Sequence, residues 1–379
     1  MLQLLFTICI FLLAIYALLL LYYQQAWIKA PVFEPPPLSY FPFLTVIIPA
    51  RNEAVNLPAL LSSLMQQTYP KEFFEIIVVD DHSEDDTAAI AGSFTGVKVI
   101  PLKQAVGSLP INSYKKKALA TGIRKSNGEL IITTDADCVA KPNWLQTIAA
   151  FYKSTGADFI VMPVSIQYSN RFIEIFQALD FMTLQGITGA SVYKKFHSMC
   201  NGANLAYSKT AFNAVNGFEG IDSIASGDDM LLMHKIFKRN PKTVHYLKSQ
   251  DVIMQTAPVK TTRQFLNQRI RWASKAGKYD DKRIFMVLLM VYLLNVLLLV
   301  IPAWAFVLGK WPVLFNWALL LILKTVVEII FLLPVALFFK EISLMKWFPL
   351  AQPFHIVYTV LAGFLGKFGR YEWKQRLVR

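Results

Sequence analysis

Leu130-Ile131-Ile132-Thr133-Thr134-Asp135-Ala136-Asp137 is a short apolar run that ends in two carboxylates one residue apart. Its length and branched side chains read as a strand buried on both faces, the pattern of parallel sheets. That strand is placed over 129–134, and similar runs stand at 44–49, 74–80, 97–101 and 158–162. Helical patterns lie between them. After the first run, Leu57, Leu60, Leu61 and Leu64 recur at i, i+3, i+4 and i+7, one face of a helix. The alternation predicts a largely parallel, doubly covered α/β domain over 44–258. Ligands of such sheets bind outside the carboxyl ends of the strands, so the residues that follow each run are the candidates for chemistry.

The rest of the chain has a different texture. Of 379 residues, 55% are apolar and 17% charged, an apolar share above the roughly 45–50% of soluble domains. One domain plus several membrane spans accounts for that sum. Disorder is excluded by the amount of apolar surface. A disulfide scaffold is excluded because Cys9, Cys138 and Cys200 are few, odd in number and far apart. Residues 2–23 carry no charge and are long enough to span a bilayer. No basic residue precedes this stretch and no small-x-small site follows it, so it reads as an uncleaved anchor over 1–24. Lys29 and the charged domain follow it, and the positive-inside rule then puts the domain in the cytoplasm. Residues 25–43 hold Pro31, Pro35, Pro36, Pro37 and Pro42, which predicts a stiff, extended linker lifting the domain off the membrane.

Beyond the domain, 259–283 reads as a basic juxtamembrane helix and 284–366 as a membrane region. The spans 284–308 and 313–339 are clear, the second interrupted only by Lys324 and Glu328. That i, i+4 spacing fits either an ion pair tying the bundle together or the lining of an acceptor path. A third stretch, 348–365, is weakened by Gln352, Pro353 and His355. The tail over 367–379 carries Lys367, Arg370, Lys374, Arg376 and Arg379 against Glu372 alone, which calls for a cytoplasmic tail. Three full crossings would leave it outside, so 348–365 is expected to be re-entrant or interfacial. The net charge of +13 is therefore mainly topological, crowded at Lys260, Arg263, Arg269, Arg271, Lys275, Lys278, Lys282 and Arg283. Nucleic acid is not an expected partner, because no recognition motif accompanies the charge.

Three carboxylate groups fall at strand ends or in loops: Asp80-Asp81, Asp135-x-Asp137 and Asp228-Asp229. Asp135 and Asp137 lie on one side of an extended backbone. They suit either a Mg²⁺ ion shared with a diphosphate or a helix N-cap cluster ahead of Pro142. Pro49-Ala50-Arg51-Asn52-Glu53 ends the first run and can read a nucleoside or be a charged surface loop. Lys115-Lys116-Lys117 opens a helix and offers either a phosphate contact or a solvated face. Gln268, Arg271 and Trp272 share a helix face; Arg fits a diphosphate and Trp a sugar ring, while a juxtamembrane basic helix is the bland reading. His82, His197, His234, His245 and His355 show no zinc-ligand spacing, and Cys138 and Cys200 read as packing residues. Gly-x-Gly-x-x-Gly and Walker motifs are missing, which weakens dinucleotide redox chemistry, including a membrane-bound reductase, and P-loop hydrolysis.

In order and spacing these motifs resemble the membrane-bound family 2 glycosyltransferases, which include ceramide glucosyltransferases and polysaccharide synthases. The resemblance runs from about Leu44 to Trp272. It rests on 45–53, Val79-Asp80-Asp81-His82-Ser83, Lys115, Asp135-Ala136-Asp137, Asn201-Gly202-Ala203-Asn204, Asp228-Asp229 and Gln268-x-x-Arg271-Trp272. It implies a glycosyltransferase-A (Rossmann-like) α/β domain flanked by transmembrane helices. By that likeness Pro49, Arg51, Glu53, Asp80 and Asp81 hold the nucleoside and Lys115 approaches the diphosphate. Asp135 faces the ribose or donor sugar, and Asp137, with Asp135, ligates Mg²⁺ or Mn²⁺. Asp229 is the base, and Gln268, Arg271 and Trp272 close over the diphosphate and the acceptor end. The family commonly reads Glu-Asp at the base; Asp228-Asp229 after Gly227 leaves open which aspartate takes the proton. The implied activity is inverting transfer from a nucleotide-diphospho-sugar, UDP by the family's habit, to a lipid or membrane-embedded acceptor. The chain would be integral to a bacterial cytoplasmic membrane with its catalytic domain in the cytoplasm. A processive polysaccharide synthase and an inactive nucleotide-sugar-binding membrane subunit are the rival readings.

Overall fold

The computed structural model describes residues 2–106, 113–196, 199–224, 227–274, 281–368, 371–373 and 376–378. In chain order the elements begin with α1 (Leu2–Lys29), β1 (Leu44–Ala50), α2 (Leu57–Met65), β2 (Phe74–Asp80), α3 (Thr87–Ser93), β3 (Val97–Pro101), α4 (Leu102–Val106), α5 (Tyr114–Arg124) and β4 (Leu130–Thr133). There follow β5 (Cys138–Val139), α6 (Trp144–Thr155), β6 (Phe159–Val161), β7 (Val164–Ile166), α7 (Phe172–Lys194), β8 (Leu205–Ser208), α8 (Lys209–Ala214), α9 (Asp228–Arg239), β9 (Val244–Tyr246) and β10 (Met254–Thr256). Last come α10 (Thr262–Ala273), α11 (Lys282–Val307), α12 (Trp311–Phe339), α13 (Phe348–Phe368), β11 (Tyr371–Trp373) and β12 (Arg376–Val378). They fall into two compact units. One joins Ala30–Gln167 to Ser191–Ala257; the other joins Met1–Lys29, Tyr168–Ala190 and Pro258–Arg379.

The first unit is built on a seven-stranded sheet in the order β3-β2-β1-β4-β8-β6-β9. Strands β1 to β4 are parallel, as the five apolar runs predict. The sheet is nevertheless mixed, because β8 runs antiparallel to both β4 and β6. Leu205-Ala206-Tyr207-Ser208 has little branching and no length to mark it as a strand; it is one through burial between two partners. Ile47, Val79, Leu119 and Ile123 pack in the core between the sheet and α5. Strand order reverses beside β1, where β4 lies on the side away from β2. The β1–β4 register ends at Ile47 against Thr133, just before Pro49, which has no N–H to continue a ladder. A crevice for ligands opens at such a switch point.

Asn204, just ahead of β8, ties that strand to α6 and to the segments that lead into β7 and β10 of the small sheet β5-β10-β7. Its amide nitrogen donates to the carbonyls of Pro163 and Val252 at 2.7 Å each, and its oxygen accepts from Trp144 Nε1 at 3.0 Å. The Pro-rich segment differs from the expected spacer. Phe33 N donates to Lys248 O (2.8 Å), Lys248 Nζ donates to Ala30 O (3.2 Å), and the Phe33 ring meets Phe151 edge-on at 5.0 Å. At its other end Tyr69 Oη donates to Pro42 O at 2.6 Å, and Phe41 stacks on Phe73. Aromatic side chains between the prolines bind the segment to the domain, so it is a strap rather than a stalk.

Among the described residues, the second unit holds four helices long and apolar enough to cross a membrane: α1, α11, α12 and the stretch Ile342–Phe368 that contains α13. Helix α1 packs on α11 and α12, and α13 packs on α10 and α11. Phe11, Leu18, Phe306, Phe315 and Phe364 are exposed, as lipid-facing positions would be. Lys324 and Glu328 form the ion pair allowed by their spacing, at 2.6 Å, and both are buried. Tyr16 Oη donates to Glu328 Oε1 at 2.6 Å, and Gln352 bonds to both charges. Helix α13 is continuous over 21 residues, about 31 Å at 1.5 Å per residue, enough for a bilayer core. The re-entrant reading of 348–365 thus gains nothing from length, and Gln352 is a buried partner for the ion pair. The tail forms the antiparallel pair β11 and β12; Arg370, Lys374 and Arg379 lie outside the described residues.

Asn204→Ala would leave Trp144 Nε1 and two carbonyls without partners in a dry interior. The purified protein is expected to lose about 3 kcal/mol of stability, read as a fall in apparent melting temperature of several degrees. An unchanged melting temperature would show that the three bonds do not hold β8 to these neighbours.

Candidate active site

Two loops at the carboxyl ends of β1 and β2 are stitched to each other. Asn52 and His82 both take left-handed backbone, with φ of 51° and 56°. This conformation suits short polar residues and turns both loops sharply out of their strands. Asn52 N donates to Ser83 Oγ (3.0 Å), and Glu84 N donates to Asn52 Oδ1 (2.9 Å). Glu53 N donates to Thr87 Oγ1 (2.8 Å), and Ala54 N donates to Asp85 Oδ2 (3.1 Å). Burial works against the Asp85 charge, but the Thr87 hydroxyl and the backbone N–H groups hold its carboxyl below the usual range. Arg51 is buried, and its NH1 donates to the carbonyls of Asp81 and His82, both at 3.0 Å. Asp81 Oδ1 lies 2.9 Å from His82 Nδ1. Asp80 is buried at the tip of β2, and its Oδ1 has no hydrogen-bond partner among the described residues. Pro49 is half-buried beside it in β1.

A second group gathers around one lysine. Lys115, in the first turn of α5, places Nζ 2.6 Å from Asp135 Oδ1 and 3.4 Å from Asp228 Oδ2. Burial works against its charge, yet Asp135, Asp228 and Asp229 around it outweigh that loss and hold it above the usual lysine range. Asp228 and Asp229 open α9 after Gly227, which takes φ of 81°. Asp229 Oδ2 accepts from Gly202 N at 3.0 Å, and its Oδ1 accepts from Met230 N at 2.7 Å. Gly202 must be small: a Cβ there would stand 3.1 Å from Lys115 Nζ and 3.3 Å from Asp228 Oδ2. Asp135 and Asp137 are half-buried and alternate with buried Ala136 and Cys138, the expected two-residue period. Burial, then Asp137 and Asp135, push the Cys138 thiol well up, which fits a packing residue.

The match to known proteins falls on the two loops, Lys115, Asp135, Asp137 and Gly202, and stops short of Asp228 and Asp229. The model of Glycosyl transferase family 2 matches residues 45–215. Residues 45–215 are a family 2 glycosyltransferase domain. Over 136 residues the chain is 33% identical to glycosyltransferase AglE of Haloferax volcanii, covering 35% of this chain and 42% of that protein. It is 31% identical over 146 residues to a 4,4'-diaponeurosporenoate glycosyltransferase of Staphylococcus aureus, covering 38% of this chain and 37% of that one. The matches thus span less than half the length of these relatives. A solved mannosyltransferase of Pyrobaculum calidifontis, in complex with GDP-Man and Mn²⁺, shares the fold at TM-score 0.51 and 20% identity. That likeness covers 93% of this chain and 99% of the mannosyltransferase.

Pro49, Arg51, Glu53, Asp80, Asp81, Lys115, Asp135 and Asp137 within the matched residues, and Asp228 and Asp229 beyond them, all lie near strand ends or helix starts of the first unit. Lys115 joins the Asp135 and Asp228 groups directly. Among the described residues no group of three or more His, Cys, Asp or Glu side chains stands ready to hold a metal. The all-oxygen pair Asp135 and Asp137 still fits a hard divalent ion, which takes one or two carboxylates and fills its shell with phosphate and water. Gln268, Arg271 and Trp272 lie on α10 in the other unit, all half-buried. Helix α10 starts with a capping box between Thr261 and Gln264. Ser226, His197, Lys275 and Lys278 lie outside the described residues.

Other residues at the site do structural work, and Lys116 is neither the phosphate contact nor the solvated face that its place in the lysine run suggests. Lys116 is buried, and its Nζ donates to the carbonyls of Ile221 (2.9 Å) and Ile224 (2.5 Å). Ser113 Oγ donates to the carbonyl of Asp222. These two fix the turn that leads to Asp228, so adjacent lysines serve the carboxylates and the loop behind them. Asp85 and Thr87 have the same supporting part in the first cradle.

Gly202→Val is expected to part Lys115 from Asp228 and to lower turnover of the donor about 100-fold, the usual effect of displacing site groups by an ångström. Circular dichroism should stay unchanged. Normal turnover in this variant would show that the close approach at Gly202 is not needed.

Proposed function

We propose that the chain is a metal-dependent, inverting, membrane-anchored glycosyltransferase. It moves a sugar from a nucleotide-diphospho-sugar, UDP first, to a lipid or other membrane-embedded acceptor. The observation that carries this reading is the convergence on Lys115 of Asp135, from the strand-end pair, and Asp228, from the start of α9. Inverting transfer is an in-line displacement at the anomeric carbon. It needs a base on the acceptor hydroxyl and neutralisation of the leaving diphosphate.

The stitched loops after β1 and β2 form the nucleoside cradle, with Arg51 shaping the loop and Asp80 offering its unpartnered oxygen. Lys115 supplies a fixed positive charge for the diphosphate. Bound at Asp137 and Asp135, Mg²⁺ or Mn²⁺ adds neutralisation of the leaving group. Asp229 is the base. Backbone N–H groups of Gly202 and Met230 orient its carboxylate, and each oxygen keeps a lone pair for the acceptor proton. Asp228 faces Lys115 at 3.4 Å, which fits it to positioning rather than proton transfer. The family likeness assigns Gln268, Arg271 and Trp272 to the diphosphate and the acceptor end. The four apolar helices support an integral membrane protein, the basic residues at the end of α1 and after it support a cytoplasmic domain, and a bacterial membrane is carried over from the family likeness alone.

Asp229→Asn is expected to lower kcat about 10³-fold with little change in the affinity for donor. Lost donor affinity with normal turnover at saturation would count against the assignment. Asp137→Ala should abolish the Mn²⁺ dependence of UDP binding, measured by calorimetry with and without the ion; an unchanged dependence would remove Asp137 from the metal site. Product length from purified protein distinguishes a single addition from processive synthesis.

A further inference from the structure

Arg269 sits inside the Gln268-x-x-Arg271-Trp272 element at a position to which the motif gives no role. It is one of the most buried charges in its unit, 4% exposed. Its Nε and NH2 donate to Asp180 Oδ2 on α7 at 3.0 and 2.6 Å. The other oxygen of Asp180 accepts from Tyr358 Oη on α13. The remaining arm, NH1, donates to Gln268 Oε1 at 2.8 Å. The guanidinium carbon lies 4.3 Å from the centre of the Trp272 ring and 4.6 Å from that of Phe265. One planar group therefore touches two of the three motif side chains, while Asp180 and Tyr358 set its plane.

A buried ion pair is a poor source of stability, because desolvation offsets most of the attraction. It is an effective way to fix geometry, and arginine does so where lysine cannot, since a fork and a flat face act together. With Oε1 of Gln268 held by Arg269, the amide's N–H₂ end is the one without a partner among the described residues, a donor suited to a phosphate or hydroxyl oxygen. We propose that Arg269, held by Asp180 and Tyr358, is a positioning residue that selects the donor end of Gln268 and fixes the Trp272 ring for an oxygen-rich ligand. The ligand's identity rests on the glycosyltransferase reading above; the positioning does not.

The test uses the full-length protein in detergent, labelled with 5-fluorotryptophan, with the Trp272 ¹⁹F resonance identified by Trp272→Phe. Arg269→Lys and Tyr358→Phe should each shift or broaden that resonance. Arg269→Lys should lower transfer about tenfold, and Gln268→Ala added to it should cost little more, since residues in one network are not additive. Tyr358→Phe keeps the shape of the helix contact and carries the test where Arg269→Lys does not fold. A Trp272 resonance unmoved in both variants, or full additivity of Arg269→Lys and Gln268→Ala, overturns the proposal. If the resonance moves while Gln268→Ala and Trp272→Phe leave transfer intact, the positioning stands and the catalytic assignment of this motif falls.

Discussion

The interaction on which the site depends is the contact of Lys115 with Asp135 and Asp228. Four aspartates, Asp135, Asp137, Asp228 and Asp229, come from two distant stretches of chain. Like charges at short range oppose such a gathering unless a cation stands among them. Lys115 is that cation, and its neighbourhood is built around it: a Cβ at residue 202 would crowd its Nζ at 3.1 Å, Lys116 clamps the 221–224 turn, and α9 begins where its first two residues meet Lys115 and Gly202. Because the same ammonium suits a phosphate, the diphosphate of the proposed donor would exchange one set of oxygens for another around a charge already in place, with little reorganisation.

The two loops proposed to cradle the nucleoside show the same economy with backbone instead of charge. Arg51 looks in sequence like a ligand-reading side chain, yet it is turned inward to hold the carbonyls of Asp81 and His82. With Asn52 and His82 both in left-handed backbone, the two loops are locked against each other by four hydrogen bonds between backbone N–H groups and side chains. A preformed loop loses less entropy on binding, which is where affinity for a flexible nucleotide is gained.

The strands and the carboxylate groups were legible because their signals are local: apolar runs of strand length, and acids placed just after them. Strand β8 was not, since Leu205-Ala206-Tyr207-Ser208 becomes a strand only when β4 and β6 flank it. The linker was misread for a related reason. Prolines fix the backbone locally, but Phe33, Phe41 and Tyr69 decide what that backbone lies against, and their partners are distant in the chain. In the sequence Ser113 draws no notice, Lys116 reads as a phosphate contact or a solvated face, and Arg269 as one of a basic cluster, because all three work on backbone carbonyls or on neighbouring side chains, contacts for which residue type gives no spacing rule.

Helix α13 carries this lesson furthest. Gln352 and His355 make 348–365 look too polar to cross a bilayer when each residue is weighed alone. Polar groups in a membrane are costly only while unpaired. Gln352 is buried and bonded to both Lys324 and Glu328, and Tyr16 of α1 completes the same network. Tyr358, one helical turn beyond His355, bonds to Asp180 instead. The apparent defects of α13 are therefore its means of docking: one polar node ties it to α1 and α12, another to α7 and α10. Hydropathy counts these residues as losses because it sees one helix at a time, whereas the pairing that removes the cost exists only between helices.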